Sequence, residues 1–197
     1  MATPATIVIL YYSRSGSTQQ LADAIANGVR KTGAEPLLRT IDSDDDAASS
    51  RDLVIANTDL ADCDGLIMGS PTRFGHMASG LQKFWEQTSR EWLRGVLVDK
   101  PAAAFTSSSS MHGGQESTLL SMLVPLLHHG MLVLGIPYTE PELQQTTAGG
   151  TPYGASHVEH AAGSRLSKHE LSLAEELGSR VARTALRLAA QKETKSL

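Results

Sequence analysis

The sequence has few of the features that mark secreted, membrane or nucleic-acid-binding proteins. A single cysteine, Cys63, excludes an internal disulfide and favours a reducing, cytoplasmic compartment. Lys and Arg number 17 against 21 Asp and Glu, so no basic surface for nucleic acid or anionic lipid is predicted. No apolar run approaches the length of a membrane-spanning helix, and the first residues lack the pattern of a secretory signal. We therefore expect a cytoplasmic protein that neither enters the membrane nor binds nucleic acid.

The sequence also lacks several motifs that would identify a catalytic class. It contains no GxxxxGK segment for nucleoside triphosphates, no GxGxxG dinucleotide fingerprint and no GxSxG hydrolase elbow. Cys63 lies between Asp62 and Asp64, whose carboxylates disfavour the thiolate that a cysteine nucleophile needs. His157 and His160 are three residues apart, but no further ligand has a clear spacing, so no metal site is predicted.

The sequence does carry the alternation of strands and helices that is typical of an α/β domain. With 197 residues, 41% of them hydrophobic, the chain has the size of one domain, and we expect residues 1–197 to form it. Short apolar segments predict five strands, over Ile7–Tyr12, Glu35–Thr40, Leu66–Ser70, Ala102–Ser107 and Met131–Leu134. Helices are predicted over Gln19–Thr32, Leu81–Glu86, Thr118–Leu127 and a C-terminal stretch that begins at a capping box of Ser167 and Glu170.

This alternation predicts a three-layer sandwich in which helices cover both faces of a parallel sheet. Right-handed crossovers suggest the strand order 2-1-3-4-5, and ligands of such sheets bind beyond the carboxyl ends of the strands. Pro125 is expected to kink or end its helix. Two segments match no element: the acidic stretch Asp42–Ser50, interpreted as a solvated loop, and Ile136–Leu166, whose glycines and prolines favour a long functional or disordered loop.

The first strand leads directly into a run of hydroxyl residues, Ser13-Arg14-Ser15-Gly16-Ser17-Thr18, and a helix begins immediately afterwards. Hydroxyls, free amides and the positive end of a helix are what a phosphate group requires, and Gly16 allows the backbone to approach it closely. Alternatively, Ser17 or Thr18 only caps the helix while Gly16 makes the turn. The position at the first strand-to-helix junction of a parallel sheet favours the phosphate site.

This loop resembles the flavodoxin signature for the phosphate of FMN, Ser/Thr-x-Ser/Thr-Gly-x-Thr, with Ser13, Ser15, Gly16 and Thr18 at the matching positions. Two further polar loops follow the third and fourth predicted strands, at the same edge of the sheet. They contain Pro71, Thr72, Arg73, Phe74 and Gly75, and then Ser107, Ser108, Ser109, Ser110, Met111, His112 and Gly113. Each loop alone has a plainer interpretation, as core packing for Phe74 and as a flexible turn for the serines. Together they suit a flat ligand with a phosphate tail.

The sequences of these loops resemble, more specifically, the WrbA family of NAD(P)H:quinone oxidoreductases. The matching stretches are Tyr11–Ser13, Ser70–Gly75, Gly113–Glu116, His128–Met131 and Gly149–Ala155. The resemblance implies a flavodoxin-like homotetramer with tightly but non-covalently bound FMN. It further implies that NADH or NADPH supplies the electrons and that quinones receive two of them at once.

The resemblance also implies which residues form the site. FMN would contact Ser13–Thr18, Pro71–Gly75, Ser107–Gly113 and His128, while Trp92 would border the open face of the flavin and Tyr138 would lie near its ring. His128 and Tyr138 are the catalytic candidates, because they are placed to orient or protonate the quinone oxygens. We expect His128 at the same sheet edge as the three loops. Alternatively, it caps the preceding helix at its negative end.

Two other functions would use the same FMN site without the quinone reaction. One is a flavodoxin-type electron carrier with no substrate site of its own, and the other is an adaptor whose flavin is vestigial. A carrier needs an acidic docking surface, for which a net charge of -4 is weak, and the long segment Ile136–Leu166 favours a substrate site. We therefore expect hydride transfer in a ping-pong order, with the donor and the quinone using one flavin face in turn.

Overall fold

The computed structural model describes residues 4–42, 51–161 and 163–194. The predicted acidic loop Asp42–Ser50 therefore lies, apart from Asp42, outside the described residues. No helix within these three ranges is both long and apolar enough to span a bilayer.

The described residues form a parallel sheet whose strands match the five predicted segments closely. These strands are β1 (Thr6–Tyr11), β2 (Glu35–Thr40), β3 (Gly65–Pro71), β4 (Pro101–Ser108) and β5 (Leu132–Val133). Their order is β2-β1-β3-β4-β5, which confirms the predicted topology. The three polar loops consequently follow β1, β3 and β4 at one edge of the sheet, as expected for parallel strands.

The segment predicted as a long loop, Ile136–Leu166, contains a short helix, α6 (Glu142–Gln145), and a further strand, β6 (Ala155–Val158). β5 pairs only with Pro101–Ala102 at the start of β4, whereas β6 pairs with Phe105–Ser108 at its end. Two separate segments therefore share the place beside β4. The sequence analysis missed β6 because four consecutive buried residues show no alternation that would distinguish them from a loop.

One face of the sheet is covered by two long helices, α1 (Ser17–Arg30) and α7 (Lys168–Thr194), and we call it the closed face. The helices touch through backbone: a Cβ atom on Gly28 would lie 1.9 Å from the carbonyl oxygen of Glu175. The predicted capping box begins α7, because the Glu170 amide donates to Ser167 Oγ at 3.2 Å and the Ser167 amide donates to Glu170 Oε2 at 2.7 Å.

The other face is covered by four helices of 5 to 14 residues, and we call it the open face. They are α2 (Asn57–Asp62), α3 (Ser79–Glu86), α4 (Ser89–Leu93) and α5 (Gln115–His128). Helices α2 and α4 were not predicted, because each is too short to show a clear apolar stripe. Of the two outcomes expected for Pro125, a kink or the end of its helix, the second does not occur: α5 continues to His128, since buried Leu119, Met122 and Leu126 anchor it to the sheet.

Candidate cofactor site

The loop after β1 folds around the side chain of its first residue. Ser13 Oγ accepts hydrogen bonds from the amides of Gly16 at 3.1 Å and Gln19 at 3.3 Å, which curls the loop back on itself. Gly16 stands directly before α1 with φ of 94°, a backbone conformation that other residues adopt only with strain. Ser13 therefore fixes the shape of the loop by accepting two backbone hydrogen bonds, and its own O–H group remains a donor.

The donors that remain fit the phosphate of FMN. In the first turn of α1, the Gln19 amide donates to Ser13 Oγ and the Gln20 amide donates to the Gly16 carbonyl. The amides of Ser17 and Thr18 remain at the helix end, which carries a partial positive charge. The Ser17 hydroxyl is buried and makes no hydrogen bond with any described residue. Ser17 does not line the cavity between the three loops, however, whereas Ser15 and Thr18 do.

The three loops meet around a cavity of about 140 Å³, which we call the cradle. The predicted residues that line it are Arg14, Ser15, Thr18, Pro71, Thr72, Arg73, Ser107, Ser108 and Ser109. Two contacts hold the loops together: Thr18 Oγ1 lies 2.8 Å from Ser107 Oγ, and the Thr72 amide donates to the Ser107 carbonyl at 2.8 Å. The structure thus brings together the phosphate loop and parts of both other loops.

A wider cleft opens beside the cradle and shares Arg14 and Arg73 with it. Phe74 lines this cleft with its side chain fully exposed and its backbone at φ 52°, so the alternative that Phe74 belongs to the core is wrong. An aromatic ring held in solvent by an unfavourable backbone conformation suits contact with a flat ligand. The cleft therefore presents an exposed aromatic ring directly beside the cradle.

The residues predicted between β4 and α5 do not all lie at the cradle: some of them line it, and others lie in or near a second, smaller cleft. Ser110 holds the turn through its carbonyl, which accepts from Gln115 Nε2 at 2.9 Å. Met111 and His112 line a separate small cleft with the segment 148–151, and Gly113 packs against Ser110. These four residues do not line the cradle, since the chain has already turned towards α5 when it reaches them.

His128 lies at the opposite edge of the sheet from the cradle, so its predicted placement beside the three loops is wrong. Helix α5 starts where β4 ends and spans 14 residues, about 21 Å, before it reaches the start of β5. There His128 and Trp92 line a groove of about 490 Å³ between α3, α4 and α5, which we call the open-face groove. Trp92 Nε1 donates to the His128 carbonyl at 2.8 Å, which fixes the two side by side.

Tyr138 is also remote from the cradle. It follows β5, its side chain is 68% exposed, and it lines neither the cradle nor the cleft beside it. Of the predicted phosphate loop, Arg14, Ser15 and Thr18 line the cradle, whereas His128, Trp92 and Tyr138 do not. The open-face groove that contains His128 and Trp92 shares His76, Met77 and Gln82 with the cleft beside the cradle.

Glu159 is the cradle residue that the sequence analysis missed. It follows β6 directly, and its amide donates to the Ser108 carbonyl at 2.7 Å. The only sequence signal was its place between His157 and His160, which suggested a metal site rather than a strand end. The described residues contain no cluster of three or more side chains suited to a metal ion.

His157 instead forms a buried pair with Glu170 of α7. Glu170 Oε1 accepts from the amides of Gly149 and Val158, both at 2.9 Å, and contacts His157 Nδ1 at 3.1 Å. Burial alone would raise the pKa of Glu170, but the hydrogen bonds from His157, Ser167, Val158 and Gly149 outweigh it and lower the pKa to about 2. The carboxylate thereby ties the start of α7 to both ends of the segment that contains β6.

Comparison with known proteins gives consistent results. Residues 5–139 match the family model of the NADPH-dependent FMN reductases. Proteins named NAD(P)H dehydrogenase (quinone) from Chromohalobacter salexigens and Gluconacetobacter diazotrophicus are 42% and 40% identical, over 93% of this chain and 98% of each relative. The crystal structure of a flavodoxin, WrbA-like protein from Agrobacterium tumefaciens superposes with a TM-score of 0.71 at 25% identity, covering 94% of this chain and 99% of that one. The fold is flavodoxin-like.

Proposed function

The chain belongs to the NADPH-dependent FMN reductase family, and we propose that it uses FMN to transfer two electrons from NADH or NADPH to quinones. Family membership makes it an FMN-dependent NAD(P)H oxidoreductase. The names of the relatives from Chromohalobacter salexigens and Gluconacetobacter diazotrophicus support quinones as acceptors. The single observation that carries the proposal is the cradle, where Arg14, Ser15 and Thr18 at the start of α1 face the polar loops that follow β3 and β4.

When bound, FMN supplies hydride chemistry, and a single open flavin face would make the two half-reactions follow a ping-pong order. The protein contributes position. The loop Ser13–Thr18 would hold the phosphate, Thr72 and Arg73 would border the ribityl chain, and Phe74 would pack beside the ring. Because these groups belong to loops fixed by β1, β3 and β4, the cofactor would be held without rearrangement of the sheet.

We further propose that the active form is a homotetramer and that His128, Trp92 and Tyr138 act on the FMN of a neighbouring copy. In their own chain His128 and Trp92 are separated from the cradle by the length of α5. The outer surface of α5 exposes about half of each of Leu120, Val124 and Leu127, which favours association through this face. In this arrangement His128 would donate to a quinone oxygen as negative charge develops on it.

The main test reconstitutes the protein with FMN and measures steady-state turnover with NADH or NADPH and benzoquinone. We expect parallel lines in double-reciprocal plots, as ping-pong order requires, and a two-electron product. Gly16→Val is the matched control: a side chain at this positive φ distorts the loop, so FMN binding should fall sharply. Reduction that stops after one electron would instead identify an electron carrier.

His128 is tested by His128→Ala, with FMN affinity, melting temperature and the rate of flavin reoxidation by benzoquinone as readouts. Loss of a transition-state donor typically lowers such a rate by about 10²–10³-fold, whereas FMN affinity should stay unchanged. A lower melting temperature with normal reoxidation would make His128 a structural helix-end residue. Light scattering of the FMN-bound protein at micromolar concentration should give a tetramer, and a monomer would remove the shared-site proposal.

A further inference from the structure

One wall of the cradle carries a negative charge, although the cradle is built for an anion. The chain continues from β6 to Glu159, whose amide donates to the Ser108 carbonyl and so fixes the backbone at the rim. Glu159 Oε2 accepts from the Ser15 hydroxyl at 3.4 Å, and Oε1 accepts from the Gly163 amide at 2.8 Å. The bond to Gly163 is of ordinary length and orients the carboxylate, while the longer contact with Ser15 places its second oxygen beside the phosphate loop.

This contact conflicts with the charge of the expected ligand. A phosphate monoester carries about −1.5 to −2 charges at pH 7, and Ser15 belongs to the loop that would surround it. Two anions at the same rim repel each other, and the repulsion is stronger than in bulk water because the protein screens charges less. The positive groups that line the cradle, Arg14 and Arg73, would be divided between the phosphate and the carboxylate.

We propose that Glu159 is an internal anion that competes with the phosphate of FMN for the rim of the cradle. Before the cofactor binds, the carboxylate holds Ser15 and links the phosphate loop to the segment after β6. FMN binding breaks the Ser15–Glu159 hydrogen bond and turns the carboxylate towards solvent. Glu159 thus lowers the affinity for FMN and keeps the cofactor exchangeable.

Because the competition acts on the charge of the phosphate, it should affect the binding of FMN but not that of a flavin without a phosphate. Riboflavin has the same ring and ribityl chain as FMN but no phosphate, so it does not meet the carboxylate at the rim. Removal of the charge should therefore strengthen the binding of FMN and leave riboflavin unaffected. This inference rests on the proposed function only in taking FMN as the ligand of the cradle.

The experiment titrates FMN and riboflavin into cofactor-free protein and follows the quenching of flavin fluorescence. Glu159→Gln keeps the shape and hydrogen-bonding capacity of the side chain, and we expect it to bind FMN roughly tenfold more tightly, with riboflavin unchanged. Glu35→Gln is the matched control, since it removes the same charge at the start of β2, on the opposite sheet edge. It should leave both affinities as they are. Glu159→Asp withdraws the carboxylate from Ser15 by one methylene and should give an intermediate FMN affinity.

The outcomes separate this proposal from its premise. Unchanged or weaker FMN binding in Glu159→Gln, or an equal change for both flavins, would overturn the competition. The advantage of the variant should also shrink as the salt concentration rises from about 0.05 M to about 0.5 M, and an advantage independent of salt would contradict a charge effect. If neither the wild type nor the variants bind FMN, the proposed function fails together with this inference.

Discussion

The two faces of the sheet are covered in different ways. On the closed face, α1 and α7 approach until backbone touches backbone, with Gly28 against Glu175 and Gly178 against Ile25. On the open face, α3, α4 and α5 leave the open-face groove between them, and α5 exposes Leu127 to 59%. The helices of the closed face are packed as closely as a protein interior, whereas those of the open face leave an exposed apolar surface of the kind found at protein interfaces.

This difference in packing means that substitutions on the closed face should affect stability, whereas those on the open face should affect association. A closely packed helix pair cannot accept an added atom, so changes there act on the free energy of unfolding. An exposed apolar surface contributes little to the fold of its own chain, so changes there act on what the chain binds. The four predictions below test this division, from the largest expected change in the free energy of unfolding to the smallest.

Gly28→Val should cause the largest loss. The new Cβ would overlap the carbonyl of Glu175, and because both atoms belong to rigid helices the pair must separate. We expect a loss of more than about 4 kcal/mol, measured by urea unfolding, or failure to fold. Asn27→Val is the control, since it places the same residue on the exposed neighbouring position of α1 and should cost less than about 1 kcal/mol. Equal effects of the two variants would refute the close contact.

Glu170→Gln should cost about 2–3 kcal/mol, because four hydrogen bonds lose their charged acceptor. The pKa of Glu170 is lowered from 4.5 to about 2 in the folded protein. A depressed carboxyl pKa stabilises the fold fully above the unfolded value, and this contribution is lost as pH falls from about 4.5 towards 2. The melting temperatures of wild type and variant should therefore converge as pH falls from about 4.5 towards 2, and a constant difference would show that the charge is unimportant.

Glu91→Leu should stabilise the protein by about 1–2 kcal/mol. Glu91 is buried in α4, and its Oε2 atom has no hydrogen-bond partner among the described residues. Burial of a carboxylate oxygen without a donor is unfavourable, so an apolar side chain of similar size should be preferred. Thermal unfolding measures the gain, with Glu86→Leu on the exposed side of α3 as the control. A lower melting temperature would mean that Glu91 has a partner in the assembled protein.

Leu127→Glu should change the free energy of unfolding of the chain by less than about 0.5 kcal/mol, because the side chain is mostly exposed. It should nevertheless dissociate the proposed tetramer, since a charge on an apolar contact surface opposes association. Size-exclusion chromatography with light scattering reports the mass, and Lys168→Glu on the distant first turn of α7 is a control for added negative charge. A tetramer that survives Leu127→Glu would exclude this part of α5 from the interface.

The sequence predicted the parts of the fold whose signals are local. Buried parallel strands such as β1 are continuous apolar runs. The loop Ser13–Thr18 likewise indicates a phosphate site within six consecutive residues. Glu159 had no such signal, because its place in the cradle depends on the pairing of β6 with β4, fifty residues away along the chain. His128 was misplaced for a different reason: the alternation of strand and helix already puts the end of α5 at the start of β5, and the prediction assigned it to the opposite edge of the sheet.

The pairing of β4 with two separate short strands, β5 and β6, also affects the tendency to aggregate. A long exposed edge strand offers a row of unpaired amides and carbonyls to which another chain can add. Here that edge of the sheet is made of β5 with two residues and β6 with four, and the chain leaves the sheet between them for 21 residues. An incoming strand would find no continuous run to pair with. The interruption that hid β6 from sequence analysis thus protects this edge of the sheet from pairing with another chain.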